Sequence, residues 1–495
     1  MDHLHWQRFG VCRDGKGIVV HEAITIDGGF DAAMGHHQAG RVQQAAALYQ
    51  SILQADPDHA DSLHLLGLIS VEHGDPEAGI ALIRRAMEIQ PGSAPHYNSL
   101  GHGYRRLGRL ADAVAAYQTG VALRPWSAEL HNNLATALRD AGQHHAAVTH
   151  YRKATALAPG VADLWYNLAN ALADDGPAEE TEACYRTAIR LRPDDANALA
   201  NCGRWLMRQS RWAESEILLK QAVRLAPANV AAWNNLGVVS QELGRTDAEG
   251  CFRAALAIDP GLADAHYNLG CLLSGQGQAD AAIASHKAAL AADPGFAPAR
   301  LAACMAELPI LYHTQNEVAE RRDRYATALT ALVAGGTSGL AAAIGRSQPF
   351  FLPYQGQDDR ALQALYGQVA CDALAAQTPV MPLTRPPAAH QRIRIGIVSG
   401  FFCDHTLFKL FIEGWLTQLD RSRFELVGFH TGSVSDDRTA WCGRLCDRFV
   451  HRLGSADAWP AAIAAEAPPH GSASQAVGLP VLGSNVISPA SMNGR

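Results

Sequence analysis

Eight prolines recur at a nearly constant spacing, and this spacing constrains the fold more than any other feature of the chain. They stand at residues 57, 91, 125, 159, 193, 227, 260 and 294, so every step is 34 residues except one of 33. Because proline cannot continue a helix, each one marks the end of a helical segment and the start of the next unit. A period of this length indicates a chain built from stacked repeats.

Two sets of small residues keep the phase of the prolines. The first set, which would let two helices approach closely, is Gly67, Gly101, Ala135, Ala169, Gly203, Gly237 and Gly270. The second set, which can end a helix in the left-handed conformation, is Gly74, Gly108, Gly142, Gly176, Gly244 and Gly277, with Ser210 in the remaining repeat. Two amphipathic segments of about 14 residues lie in each unit. Period and residue type together identify the tetratricopeptide repeat, a helix–turn–helix of 34 residues.

The repeats occupy residues 25–294 and follow an unassigned segment at 1–24. Seven clear units and one degenerate unit before them make about eight, and such units stack into a superhelix with a long concave groove. Residues 295–390 are predicted to form a helical bridge and a proline-rich linker. We interpret the charged run EVAERRDR at 317–324 as a solvent-exposed helix face.

Packing does not explain why one position in the first helix of the repeats carries the same amide residue. Asparagine stands two residues before the small residue in five successive repeats, at Asn133, Asn167, Asn201, Asn235 and Asn268. Since an amide offers both a donor and an acceptor, a row of them could pair with the backbone of an extended peptide. One hypothesis is therefore that this row binds the backbone of a client peptide. In the alternative, the amide is a common feature of tetratricopeptide helices that only solvates the groove.

The composition excludes several classes of partner. The 48 acidic residues and 41 Lys plus Arg are intermixed and leave a formal charge of −7, which argues against a nucleic-acid partner. No apolar run approaches the ~20 residues that span a bilayer, and the first residues lack a secretory apolar core, so we expect no membrane partner and a cytoplasmic location. Cys442 and Cys446 admit zinc or a disulfide, but two buried thiols are the favoured interpretation. The histidine pairs at 36–37 and 144–145 are interpreted as turn residues, so we expect no metal and no cofactor.

After the linker, the sequence pattern changes from one typical of helices alone to one that alternates strands and helices. RIRIGIV at 392–398, FELVGFH at 424–430 and RFVHRL at 448–453 read as strands separated by helices, which predicts the opening of a doubly wound parallel sheet. His405 follows the first strand, where ligands of such sheets bind, and it is either a reactive imidazole or a helix-start residue that faces water. The glycines here do not form GxGxxG, so a nicotinamide site has no support.

The stretches RIRIGIVSGFFCDHTLFKL, LDRSRFELVGFHTG, DDRTAW and DRFVHRL resemble the start of the catalytic region of O-linked N-acetylglucosamine transferases and the SPINDLY-like group, glycosyltransferase family 41. The resemblance implies a tetratricopeptide superhelix joined to a two-lobed catalytic unit of the GT-B type. It further implies sugar transfer, without a metal, from UDP-N-acetylglucosamine to Ser or Thr of client proteins held in the groove. The active-site histidine of the family falls on His405, and its asparagine ladder falls on the five positions above. Phe401 and Thr406 depart from the usual Asp and Pro of the family.

The expected fold class is therefore mostly α, a tetratricopeptide superhelix followed by a partial α/β lobe of Rossmann-like, GT-B type. Residues 391–470 correspond to the start of the catalytic lobe, and 471–495 read as an irregular tail rich in Gly, Ser and Pro. By resemblance, most of the first lobe and the whole nucleotide-binding second lobe are missing. We therefore expect a transferase-type chain with little or no activity as it stands. The alternative is a non-catalytic scaffold that binds extended peptides.

Overall fold

The structure is a computed structural model. It describes residues 26–309, 311–341, 343–344, 349, 352–375, 392–399, 402–403, 413–431 and 435–451. The chain divides into two compact units, Met1–Ala232 and Trp233–Arg495. The described residues are mostly helical and end in a small parallel sheet, which confirms the fold class expected from the sequence.

The first unit consists of successive helix hairpins. The helices are α1 (Ile26–Gln38), α2 (Val42–Ala55), α3 (Ala60–His73), α4 (Pro76–Ile89), α5 (Ala94–Arg106), α6 (Leu110–Leu123), α7 (Ala128–Asp140), α8 (His144–Leu157), α9 (Ala162–Leu172), α10 (Ala178–Leu191), α11 (Ala196–Arg208) and α12 (Trp212–Leu225), and the unit boundary falls inside α13 (Val230–Glu242). The two helices of a hairpin pack together, and the second helix also packs on the next hairpin. The first helices α3, α5, α7 and α9 contact one another in order, so they share one face.

The first set of small residues allows the two helices of a hairpin to approach closely, as the sequence predicts. A Cβ atom added at Gly101 would lie 2.8 Å from the ring of Tyr117 in the facing helix. One added at Gly203 would lie 2.8 Å from Cγ of Leu219. Because these contacts are shorter than van der Waals distance, a larger residue would separate the helices and open the continuous apolar core of the unit.

The second unit continues the hairpins and then changes architecture. Its helices are α14 (Ala248–Ile258), α15 (Ala263–Gly275), α16 (Ala279–Ala292), α17 (Ala297–Met305), α18 (Gln315–Ala334), α19 (Arg360–Ala375), α20 (Glu413–Gln418) and α21 (Asp437–Leu445), with a 3₁₀ turn at Leu352–Gln355. Helix α14 has 11 residues, whereas α12 and α16 have 14, and it lies in the repeat with the 33-residue step. Among the helices that the structure describes, none is both long enough and apolar enough to cross a bilayer.

The charged run on α18 is not simply a solvent-exposed face. Arg321 is only 6% exposed, and its guanidinium lies 2.8 Å from the carboxylate of Asp280 and 3.4 Å from that of Glu307. The interpretation of 317–324 as solvated is therefore wrong at Arg321. A buried guanidinium is tolerated here because carboxylates from the neighbouring helices compensate its desolvation, and it holds α18 against the last repeat.

The sheet contains β1 (Ile393–Ser399), β2 (Phe424–His430) and β3 (Arg448–Val450), in that order and all parallel. Their sequences are short, β-branched or aromatic, and separated by helical segments, which is the pattern of a βαβ unit. The register pairs Ile393 with Phe424 and Ser399 with His430, so the carboxyl ends of β1 and β2 lie side by side.

The two closely spaced cysteines lie beside this sheet. Cys442 and Cys446 are both buried and both free, in the apolar cluster that covers one face of the strands. Burial raises the pKa of the Cys442 thiol to about 12 and that of Cys446 to about 11. They are packed thiols, in line with the favoured interpretation of the sequence.

Candidate functional site

The repeated asparagines lie in the middle of first helices. Asn133 is on α7, Asn167 on α9 and Asn201 on α11 in the first unit, and all three are half-buried. Asn235 on α13 and Asn268 on α15 occupy the same position in the second unit. We call Asn133, Asn167 and Asn201 the amide row.

Each amide of the row donates a hydrogen bond to the preceding repeat. Nδ2 of Asn133 lies 2.9 Å from Oδ1 of Asn98, and Nδ2 of Asn167 lies 2.9 Å from Oδ1 of Asn132. Nδ2 of Asn201 lies 2.7 Å from the hydroxyl of Tyr166. The amides are therefore not mobile surface groups, because each is oriented by a bond between repeats.

The same link recurs beyond the row. In the hairpins that begin with α3 and α5, which lack the asparagine, Ser99 stands at the row position and its Oγ lies 2.8 Å from Nε2 of His64 in the preceding repeat. In the second unit, Nδ2 of Asn268 lies 3.0 Å from Oδ1 of Asn234. In each case the partner in the preceding repeat is the residue just before the row position. The sequence analysis missed this second set, although polar residues recur in phase at His64, Asn98, Asn132, Tyr166 and Asn234, with Ala200 as the exception.

Helix α11 has an additional contact at its asparagine. Nδ2 of Asn201 also lies 3.2 Å from Oδ1 of Asn170, and that oxygen accepts a 2.8 Å hydrogen bond from the hydroxyl of Tyr185. Tyr185 is fully buried, and burial raises the pKa of its hydroxyl above the usual range. The hydroxyl of Tyr185 therefore stays protonated and can donate to Oδ1 of Asn170.

A second hydrogen bond recurs near the start of the first helices. An aromatic N–H donates to the carbonyl of the proline six residues earlier, with distances of 3.0 Å for His131 to Pro125 and 2.8 Å for Trp165 to Pro159. His131 also lies 2.9 Å from His150 through their Nδ1 atoms. Burial and the neighbouring His131 lower the pKa of His150 to about 4, so this pair is neutral at pH 7.

Ion pairs and one amide–carboxylate bond also link neighbouring repeats. Arg105 lies 2.8 Å from Asp140, and Arg208 lies 2.7 Å from Asp174. In addition, Nδ2 of Asn98 donates to Glu129 at 2.8 Å.

The predicted catalytic histidine, His405, lies outside the described residues. At the carboxyl ends of the strands, the structure instead places His430, which is 1% exposed and whose Nδ1 lies 3.3 Å from the carbonyl of Ser399. Its ring packs edge-on against Phe402 and is stacked on Phe449, at centroid distances of 6.0 and 6.4 Å. His430 is thus part of the core at the strand ends.

Comparison with known proteins identifies the repeats. Models described as tetratricopeptide repeat match residues 36–101, 166–230, 203–263 and 251–284, and one described as TPR repeat matches 135–176. Tetratricopeptide repeats thus extend across residues 36–284. These matches end at residue 284, so the resemblance of 392–452 to sugar transferases stays a prediction. No curated protein matches the chain.

Several solved structures are similar to part of the chain. The structure described as the APC/C hetero-tetramer Cut9–Hcn1 has 19% identity and a TM-score of 0.43, and the match covers 57% of this chain and 55% of that chain. YrrB, described as a TPR protein with an unusual peptide-binding site, has 17% identity and a TM-score of 0.32, with 37% and 95% covered. TTC0263, described as a thermophilic TPR protein in Thermus thermophilus, has 18% identity and a TM-score of 0.33, with 37% and 100% covered. The chain thus spans just over half the length of the Cut9–Hcn1 chain that it matches.

Proposed function

We propose that the face formed by the first helices binds extended segments of client proteins. The single observation that supports this function is the amide row, whose members are half-buried, oriented by bonds between repeats and spaced by one repeat each. Stacked repeats of this kind use their curved inner surface for binding. Amides recognise the peptide backbone rather than particular side chains, so the proposed partner is an extended polypeptide of varied sequence.

The test is peptide capture by the full chain with the amide row, Asn133, Asn167 and Asn201, replaced by alanine. Each lost hydrogen bond contributes about 1 kcal/mol, so the triple variant should bind on the order of 100-fold more weakly than the wild-type chain. An array of random 15-residue peptides, followed by fluorescence anisotropy on the tightest binder, measures the change. Asn316→Ala, which alters an exposed asparagine of α18, is the matched control.

Thermal melting of each variant, followed by circular dichroism, separates loss of binding from loss of folding. Unchanged affinity in a folded triple variant would contradict the amide row as the binding site. A cytoplasmic location remains part of this proposal, and fractionation of cells that express the full chain would test it.

A second candidate function is sugar transfer to the bound client. The observation that favours it is the parallel order β1-β2-β3 in the segment that resembles family 41 transferases, with the ends of β1 and β2 adjacent at Ser399 and His430. Ligands of such α/β sheets bind at this edge. In this proposal the GT-B-type lobe takes UDP-N-acetylglucosamine as donor, and His405, just beyond β1, acts at the reacting hydroxyl of the client.

Incubation of the purified full chain with UDP-N-acetylglucosamine and a bound peptide tests this candidate. A transferase should release UDP and add the sugar to the peptide, whereas a scaffold should do neither. Mass spectrometry of the peptide and release of UDP are the measurements, with His405→Ala as the control. Sugar transfer well above that of the His405→Ala variant would show that the chain is a transferase, whereas equal background rates favour the scaffold.

A further inference from the structure

The amide of Asn201 differs from the others in the row because both of its N–H groups are already used. One donates to the hydroxyl of Tyr166 at 2.7 Å and the other to Oδ1 of Asn170 at 3.2 Å. A carboxamide nitrogen carries two hydrogens, so the donor capacity of Asn201 is exhausted. Within the part of the chain that the structure describes, its Oδ1 accepts no hydrogen bond.

The orientation of this amide follows from its neighbours. Oδ1 of Asn170 accepts from the buried hydroxyl of Tyr185 at 2.8 Å, so the atom that Asn170 presents at this point is an oxygen. Only a donor can face that oxygen favourably, which places the nitrogen of Asn201 there and its Oδ1 on the opposite side. Rotation of the amide by 180° would bring the acceptor oxygens of Asn201 and Asn170 together and lose the hydrogen bond between them.

The other two members of the row keep more freedom. Asn133 and Asn167 each donate a single described hydrogen bond to the preceding repeat, so each retains a second N–H. These two amides can pair with either a carbonyl or an N–H of a peptide. Asn201 can pair only with an N–H, because both of its own N–H groups are used and only its oxygen is left to accept a hydrogen bond.

We infer that Asn201 is a specificity-determining residue of the peptide site, which accepts one backbone N–H of the client and excludes N-substituted residues there. The inference rests on the proposed function. Proline is the natural residue that lacks the N–H. An N-alkyl group would also leave Oδ1 of Asn201 half-buried without a donor and bring a carbon atom against it. The site therefore binds extended segments that have a residue other than proline at the position that faces Asn201.

An N-methyl scan of a bound peptide tests the inference on the full chain. The probe is the tightest-binding 15-residue peptide of the random array, synthesised with a single N-methyl group at each position in turn. One position should lose about tenfold in affinity for the wild-type chain, the effect of one half-buried hydrogen bond. In Asn201→Ala, the affinities of the methylated and unmethylated peptides should be nearly equal at that position, and proline there should behave as N-methylation does.

Tyr166→Phe is the second variant, since it keeps the ring and removes only the hydroxyl that accepts from Asn201. The amide is still oriented by the oxygen of Asn170, so the sensitive position and its penalty should be retained. If the wild-type chain binds the peptide but no position is sensitive to N-methylation, the inference fails and the proposed function stands. The same holds if the sensitivity persists in Asn201→Ala. If no peptide of the array binds the wild-type chain, both fail.

Discussion

One buried position of the second helices packs on the small residue of the first helix, and an aromatic ring occupies it in several repeats. Tyr117 fills it beside Gly101 and Phe252 beside Gly237, whereas the last repeat has His286 beside Gly270. His286 is 1% exposed, and its Nδ1 has no hydrogen-bond partner among the described residues. Burial lowers the pKa of this imidazole to about 4, so it is packed as a neutral ring.

We predict that His286→Phe makes the second unit more stable in mild acid. The unfolded imidazole takes up a proton below about pH 6.5, whereas the folded one does so only near pH 4. Stability of the wild-type chain is therefore lost as the pH falls from 6.5 to 4, by roughly 1.4 kcal/mol per unit and up to roughly 3 kcal/mol. Urea unfolding at pH 7 and pH 5 measures this slope, which phenylalanine should reduce.

His144→Gln, at an exposed position on α8, is the control and should leave the slope unchanged. Other buried histidines, such as His64 and His150, titrate in the wild-type chain and in both variants, so the difference between the slopes isolates His286. Equal slopes for the wild-type chain and the phenylalanine variant would contradict the prediction.

At the scale of the helix hairpin, the turn chemistry was largely predictable from the sequence. The second set of small residues takes the left-handed conformation at Gly108, Gly142, Gly244 and Gly277, and also at Ser210, with a φ of 56°. Ser210 is the described residue other than glycine that adopts a positive φ, which follows from its place in the repeat. The turn of a repeat thus determines the backbone conformation even where glycine is absent.

The expectation for this set was wrong at Gly74 and Gly176. Gly74 has a φ of −137°, and Gly176 is not among the described glycines with positive φ. A proline follows each of them closely, with Pro76 at the start of α4 and Pro177 as the N-cap of α10. Proline favours an extended conformation in the residue before it, which is Gly176 in one turn and Asp75, with a φ of −101°, in the other. The proline was visible in the sequence, but its effect on the turn depends on where the next helix begins.

The amide row shows where prediction from the sequence ends. Asparagine recurs at the same place in successive repeats, and this predicted that Asn133, Asn167 and Asn201 would lie at equivalent positions. The repeat period is sufficient for that prediction. The direction of the hydrogen bonds could not be predicted. It depends on how far adjacent first helices are shifted along each other, which brings Asn98 opposite Asn133 rather than opposite Asn132. That shift is a property of packing, which local sequence does not specify.

At the scale of the whole chain, the repeats and the sheet are stabilised in different ways. In each unit, repeat helices bury apolar side chains on both neighbours, so that opening one hairpin exposes two interfaces. In the sheet, β2 pairs with β1 along its whole length, whereas β3 contributes only Arg448–Val450. The described core of the sheet, around Ile397, Leu426 and Cys442, is confined to one cluster. Fewer apolar contacts therefore oppose local opening of the strands.

We accordingly predict that backbone amides of β1 and β2 exchange with solvent faster than those of the repeat helices. Their protection factors in the native full chain should be at least about tenfold lower than those of α15, which lies in the same unit, and of α7 in the first unit. Hydrogen–deuterium exchange with mass spectrometry at pH 7 measures both sets in one sample. Peptides from α1, at the edge of the repeats, control for the fraying of terminal hairpins. Equal protection of β2 and α15 would mean that the sheet opens only with the repeats, as part of one cooperative unit, and would contradict the independent opening argued from its small core.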